Sequence, residues 1–146
     1  MILSKNFTLE EFVVSQYAIR HDIDNTPPPE AVASLRLLID RVLQPLRDIL
    51  ARPVIVTSGF RCEALNHGIG GSPTSQHRLG QAADLVVPGM SSYEVVKTIH
   101  ELGLPYDQLI EEFGRWTHVS HCAIRRGETL RALRDQGKTK YVYLQL

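Results

Sequence analysis

Apolar residues recur at three- and four-residue steps from Val32 through Leu35, Leu38, Ile39, Val42, Leu43 and Leu46 to Ile49. That spacing predicts one long amphipathic helix with a single core-facing stripe. Pro27-Pro28-Pro29 sets its start, because a fixed φ and a missing N–H suit a first helical turn, and Pro45 predicts a kink within it. Ahead of the helix, Thr8-Leu9-Glu10-Glu11 has capping-box spacing and predicts a short helix, while the polar run from Arg20 to Thr26 reads as a loop.

The pattern changes after residue 52. Pro53 to Thr57 is β-branched and predicts a strand, and Ala83 to Val87 predicts a second; between them Ser58 to Gly80, rich in Gly, Ser and Pro, reads as one long loop. A loop of that length inside a compact domain is usually functional or disordered. Ser91-Ser92-Tyr93-Glu94 opens a helix with another capping box, which Gly103 closes. Gln108 to Phe113 and Thr117 to Ile124 predict two strands joined by a tight turn at Gly114-Arg115, and Tyr141 to Leu144 a last, edge strand. Helices come first and strands mostly later, with too few βαβ units for a parallel sheet. The expected fold class is α+β, a small mainly antiparallel sheet with helices packed on one side.

Composition narrows the classes. A chain of 146 residues with 43% hydrophobic content can bury a core and reads as a single domain over residues 1–146, without repeats or linkers. Sixteen basic residues balance sixteen acidic ones, so no whole-protein field would draw it to nucleic acid or an anionic membrane. Met1 to Phe7 has neither the basic nor the apolar region of a signal peptide, and no apolar run approaches the roughly 20 residues of a membrane span. The expectation is a soluble monomer made in the cytoplasm, with no membrane insertion. Cys62 and Cys122 are too few for a disulfide framework and lie in no CxxC pair, so both are expected as free thiols, with a bridge between them as the alternative.

Candidate chemistry centres on three residues. His77 stands seven positions ahead of Asp84, and His118 follows far downstream. Two imidazoles and a carboxylate from separate segments suit zinc, with a fourth position open for water. Strand period separates the later histidines: along Thr117 to Ile124, His118, Ser120 and Cys122 share one side. His121 points to the other, toward solvent or a loop, and His21, His67 and His100 read as loop or surface residues.

The motif His77-x-x-Gly80-x-Ala82-x-Asp84 is preceded by Ser58-Gly59-Phe60-Arg61 and followed by Asp107-Gln108-Leu109-Ile110-x-Glu112 and Trp116-x-His118. In that order, from about Phe7 to Ser120, it resembles the zinc D-Ala-D-Ala carboxypeptidase family of peptidoglycan peptidases, in particular the compact single-domain members of bacteriophages and prophages. The resemblance implies a hedgehog-like fold with a zinc site at the sheet, Zn2+ held by His77, Asp84 and His118, and a peptidoglycan stem peptide as substrate. Zinc brings the pKa of bound water to about 7 and polarises the scissile carbonyl.

The same resemblance implies that Arg61 stabilises an oxyanion or holds a substrate carboxylate, and that Ser75 contacts substrate. Some relatives carry an acidic residue three positions before the last histidine, where this chain has Arg115. The general base is then expected on the preceding strand, at Glu112, with Glu111 as its rival if a two-residue turn pairs Glu111 with His118. Carboxypeptidase and endopeptidase action stay open, and an inactive zinc-bearing wall-binding or phage structural module is the alternative to an enzyme. A cell-wall enzyme without its own export signal would reach its substrate within a virion, through another protein's pore, or after lysis.

Overall fold

The computed structural model describes residues 1–146. A small hairpin, β1 (Ile2–Ser4) and β2 (Phe7–Thr8), leads into α1 (Leu9–Val13). The Thr8 N–H donates to Glu11 Oε2 at 2.7 Å, as the capping-box spacing predicts. Helix α2 (Gln16–Arg20), capped by Ser15, is an additional element that ends at the first residue of the expected polar loop.

The long helix forms as α3 (Pro29–Leu38) and α4 (Gln44–Leu50), joined by a π turn over Ile39–Leu43. Pro45 has no N–H to offer the carbonyl four residues earlier, and the wide turn just ahead of it takes up the fault that reads from sequence as a kink. The Gln44 N–H reaches back five residues to the Ile39 carbonyl. The extra residue per turn rotates α4 relative to α3, so Leu35 to Leu46 of the stripe are buried while Ile49 is exposed and Leu50 packs on the core instead.

Strands β3 (Ile55–Ser58) and β4 (Ala82–Val86) follow, and the expected loop between them is partly ordered. It holds α5 (Glu63–Gly68) and a 3-10 turn over Gln76–Leu79. Helix α6 (Ser92–Glu101) starts where Ser91 Oγ accepts from the Glu94 N–H at 3.1 Å and ends before Gly103, at φ 66°. Then come β5 (Gln108–Glu112), β6 (Trp116–Ser120), β7 (Glu128–Asp135) and β8 (Lys138–Tyr143).

The fold is α+β, but its six-stranded sheet, ordered β3-β4-β6-β5-β7-β8, is mixed rather than mainly antiparallel. Strand β7 runs parallel to β5, with Gln108 opposite Glu128 and Glu112 opposite Ala132. The reason is local: β6 returns antiparallel to β5, so the chain leaves β6 beside the start of β5 and crosses there before setting out again in the β5 direction. Asp107 fixes this crossing by accepting from the Arg126 N–H at 2.7 Å, from Arg126 Nε at 3.0 Å and from Nη2 at 2.7 Å. Strand β6 stops at Ser120, short of the expected Ile124.

The alternation of the strands assigns the two faces. Ala83, Leu85, Leu109 and Val119 join one core cluster with Leu35, Leu38, Ile39, Val42, Val95 and Ile99, so the helices α3, α4 and α6 cover that side. The intervening residues Asp84, Ile110, Glu112 and His118 turn to the other side, where they line a cleft. No helix is long and apolar enough to cross a membrane.

Candidate metal centre

Asp84 and His118 are direct partners across the β4–β6 ladder, which sets their side chains beside each other on the cleft face. His77 arrives separately, on the 3-10 turn. Gly80 closes that turn at φ 71°, and a Cβ there would lie 2.4 Å from the Ala31 carbonyl oxygen of α3, so only glycine lets the turn seat against the helix. The three donor atoms converge within 4.8 Å of one another. His77 Nε2 lies 3.3 Å and His118 Nδ1 3.0 Å from Asp84 Oδ1.

The donor set fits zinc. His77 Nδ1 is 2.7 Å from the Gly59 carbonyl oxygen and must donate its hydrogen there, which leaves Nε2 bare in the neutral ring. Burial keeps His77 neutral by pushing its pKa down. A bare nitrogen then faces a carboxylate oxygen at 3.3 Å, two lone pairs with no hydrogen between them, an arrangement that a cation between them satisfies. Ligands about 2.0–2.1 Å from a tetrahedral zinc stand roughly 3.3 Å apart, close to the 3.3 Å and 3.0 Å that separate the two imidazole nitrogens from Asp84 Oδ1. Burial works against the Asp84 charge, yet its carboxyl stands well below the usual range, with His118 Nδ1 at hydrogen-bonding distance of Oδ1.

Glu112 and Glu111 separate cleanly. The ladder pairs Ile110 with His118, Glu111 with Thr117 and Glu112 with Trp116. The turn spans Phe113, Gly114 and Arg115, with Phe113 at φ 57° and Gly114 at φ 68°, rather than the expected two residues. Glu111 therefore faces α6, where it accepts from Ser92 Oγ at 2.6 Å and Arg131 Nε at 3.0 Å. Glu112 faces the cleft, its Oε1 3.8 Å from His118 Nδ1. Burial raises its carboxyl above the ordinary value, chiefly through lost hydration.

Arg61 lies beside the triad with Nη2 3.4 Å from Asp84 Oδ2; its Nε donates to Ser58 Oγ at 3.0 Å and Nη1 to Asn66 Oδ1 at 3.4 Å. Ser75 lines the cleft, and its Oγ accepts from the His77 N–H at 3.2 Å. The cleft, about 710 Å³, brings Arg61, Ser75, His77, Asp84, Glu112 and His118 together. A second hollow of about 600 Å³ adjoins it at Arg61, Asp84 and Trp116. The Trp116 indole N–H is buried between them without a partner in the chain.

A family model for peptidase M15 matches residues 5–120. The chain belongs to that family. Its members are zinc metallopeptidases of the peptidoglycan-peptidase kind, and every donor atom of the triad lies within the matched span. A search of curated proteins finds no match.

The other expected positions can be placed as well. His121 is not solvent-facing: β6 has ended, the side chain is buried, and Nδ1 bonds the Pro105 carbonyl oxygen at 2.7 Å. His21, His67 and His100 are exposed, and Cys62 and Cys122 are free thiols. Several supporting groups carry no sequence motif of their own. Asn25 ties the Arg61 segment down by donating to the Phe60 carbonyl at 3.0 Å and accepting from the Cys62 N–H at 2.8 Å. Tyr141 and Tyr143 enter the cleft from β8, which the expected edge strand placed without assigning to a face.

Proposed function

We propose that the protein hydrolyses an amide bond in the stem or cross-bridge peptides of bacterial peptidoglycan, with His77, Asp84 and His118 holding zinc and Glu112 as the general base. The observation that carries this reading is the gathering of three possible metal-ligand atoms within 4.8 Å of one another, with a partly desolvated carboxylate next to them. Zinc, when bound there, supplies an acidified water and a Lewis acid for the scissile carbonyl. Glu112 takes a proton from the attacking water as the C–O bond forms and returns it to the nitrogen as the C–N bond breaks. Its raised pKa brings it closer to neutrality, where a base that must also give the proton back works best.

Arg61 keeps one N–H on each terminal nitrogen free beyond its three internal contacts, enough to hold a substrate carboxylate or carbonyl. The Ser75 hydroxyl hydrogen is likewise free for substrate, since its oxygen is the partner of the His77 N–H. The second hollow shares Arg61, Asp84 and Trp116 with the cleft as lining, and this further space next to Asp84 supports cleavage inside a peptide over removal of a terminal D-Ala.

The test is digestion of purified peptidoglycan by zinc-loaded protein, with and without a chelator, and identification of the fragments by mass. Chelator-sensitive release of peptides larger than D-Ala is the expected result. Free D-Ala alone would overturn the internal cut, and no release from walls of several chemotypes by protein carrying stoichiometric zinc would favour a wall-binding module with Arg115 in place of an acid.

A further inference from the structure

The last two strands bring to the cleft a group that the metal triad does not use. Three ladders in register set Trp116 of β6, Glu112 of β5, Ala132 of β7 and Tyr141 of β8 in one row across the sheet. Directly paired residues share a face, so Tyr141 stands on the face of Glu112, and it lines the same cleft as His77, Asp84 and His118. Ala132 makes the approach possible. It is fully buried and puts only a methyl group between Glu112 and Tyr141. Strands about 4.8 Å apart leave roughly 10 Å between the two backbones, and a phenol lying over Ala132 spans most of that distance.

The hydroxyl is also uncommitted. Tyr143, two residues on, donates to Glu128 at 3.4 Å, whereas the Tyr141 hydroxyl has no partner in the chain. Among the other long donors of the cleft, Gln108 is engaged by Glu128, and Gln76 and Arg126 by Asp107, while Arg61, beside Asp84, keeps one free N–H on each terminal nitrogen and the Trp116 indole N–H is unpartnered but buried. Burial, together with the charges of Glu112 and Asp84, raises the phenol above its ordinary value, so at neutral pH it keeps its hydrogen. Tyr141 lies beyond the residues that the family model matches.

Resting on the peptidase reading above, we propose that Tyr141 is a further catalytic residue, its hydroxyl donating a hydrogen bond to the scissile carbonyl oxygen of the peptide as that oxygen gains negative charge. Tyr141 is 55% exposed, open to a substrate in the cleft; a donor at such an oxygen acts more strongly on the transition state than on the bound substrate, so its removal is read in kcat.

The experiment compares zinc-loaded wild type with Tyr141→Phe on soluble disaccharide-peptides from purified peptidoglycan. Zinc content and Tm are measured alongside, as is the Kd of a phosphinate dipeptide, whose tetrahedral anion copies the charged intermediate. Tyr141→Phe keeps the ring and is expected to keep zinc and Tm, lose about a hundredfold in kcat with KM within about twofold, and bind the phosphinate at least about tenfold more weakly. An unchanged kcat on a substrate the wild type cleaves, or a loss confined to KM, overturns the proposal and leaves the peptidase reading standing. A wild type inert on every wall overturns the peptidase reading. The phosphinate then decides Tyr141 alone, equal Kd values for the two proteins removing its role.

Discussion

Asp107→Asn is the perturbation whose size can be worked most directly from the structure. The carboxylate side chain is only 2% exposed and accepts four hydrogen bonds, two on Oδ1 from the Arg126 N–H and Nε, and two on Oδ2 from Arg126 Nη2 and Gln76 Nε2. Asparagine keeps the first oxygen but turns an NH2 toward the other two donors. Each lost bond to a charged group is worth about 1.5–3 kcal/mol. Arg126 is 51% exposed, so water recovers part of its share, and the net loss comes to about 2–3 kcal/mol. In a domain of this size that lowers Tm by roughly 5–10 °C.

The pH dependence of that effect is a second handle on the same contact. The hydrogen bonds of Arg126 bring the Asp107 carboxyl down from its ordinary value of 3.8 to about 2. Because the folded value is depressed, the stabilisation is fully present above about pH 4 and is lost as pH falls toward 2. Thermal unfolding of metal-free wild type and Asp107→Asn, followed by circular dichroism from pH 7 to 2, should show a Tm gap that narrows between pH 4 and 2. A gap under about 2 °C at pH 7, or one of constant size down to pH 2, refutes the assignment of Asp107 as the anchor of the crossing.

Other outcomes concern the site itself. Glu112→Gln should retain zinc, measured by elemental analysis, while hydrolysis of wall peptides falls at least about a hundredfold; Glu111→Gln should lower Tm instead, because it breaks the contacts to Ser92 and Arg131. His77→Ala and His118→Ala should each lose the metal. His121→Ala should keep it while losing about 1–2 kcal/mol in a denaturant titration, as its buried bond to Pro105 goes. Gly59→Ala should weaken zinc binding by about 10–100-fold in a competition titration, because a Cβ there meets the Phe12 carbonyl oxygen at 2.5 Å and displaces the Gly59 carbonyl that orients His77.

Much of the site was legible because it is local in sequence or periodic. Asp84 and His118 sit on strands that the sequence places at Ala83 to Val87 and from Thr117 onward, and the alternation of β5 and β6 puts Glu112, Ile110 and His118 on one face once the turn length is known. That length was the hidden quantity: two residues at positive φ, only one of them glycine, add a residue to the loop and move Glu111 to the helix side. Strand β7 was hidden for a different reason. Leu130, Arg131, Ala132, Leu133 and Arg134 are good helix formers, and only tertiary pairing with β5 makes them a strand. A usable cue lay in Gln136-Gly137, both at positive φ as a two-residue hairpin turn requires, but glutamine is an unusual first residue there. Missing β7 is what made the sheet read as mainly antiparallel. Helix α5 was masked by the glycines and prolines that surround it.

Strand β8 ends the sheet, and one side of its backbone has no neighbouring strand. An open edge of this kind is a template on which a second chain can add, the usual first step of strand-mediated aggregation. Tyr141 and Tyr143 make one face of this edge sticky, whereas Lys138 and Lys140 alternate with them and put positive charge on the other. The two lysines thus act as gatekeepers of solubility: chemical acetylation or exchange for valine would leave the cleft intact and turn the free edge into the place where a concentrated solution begins to associate.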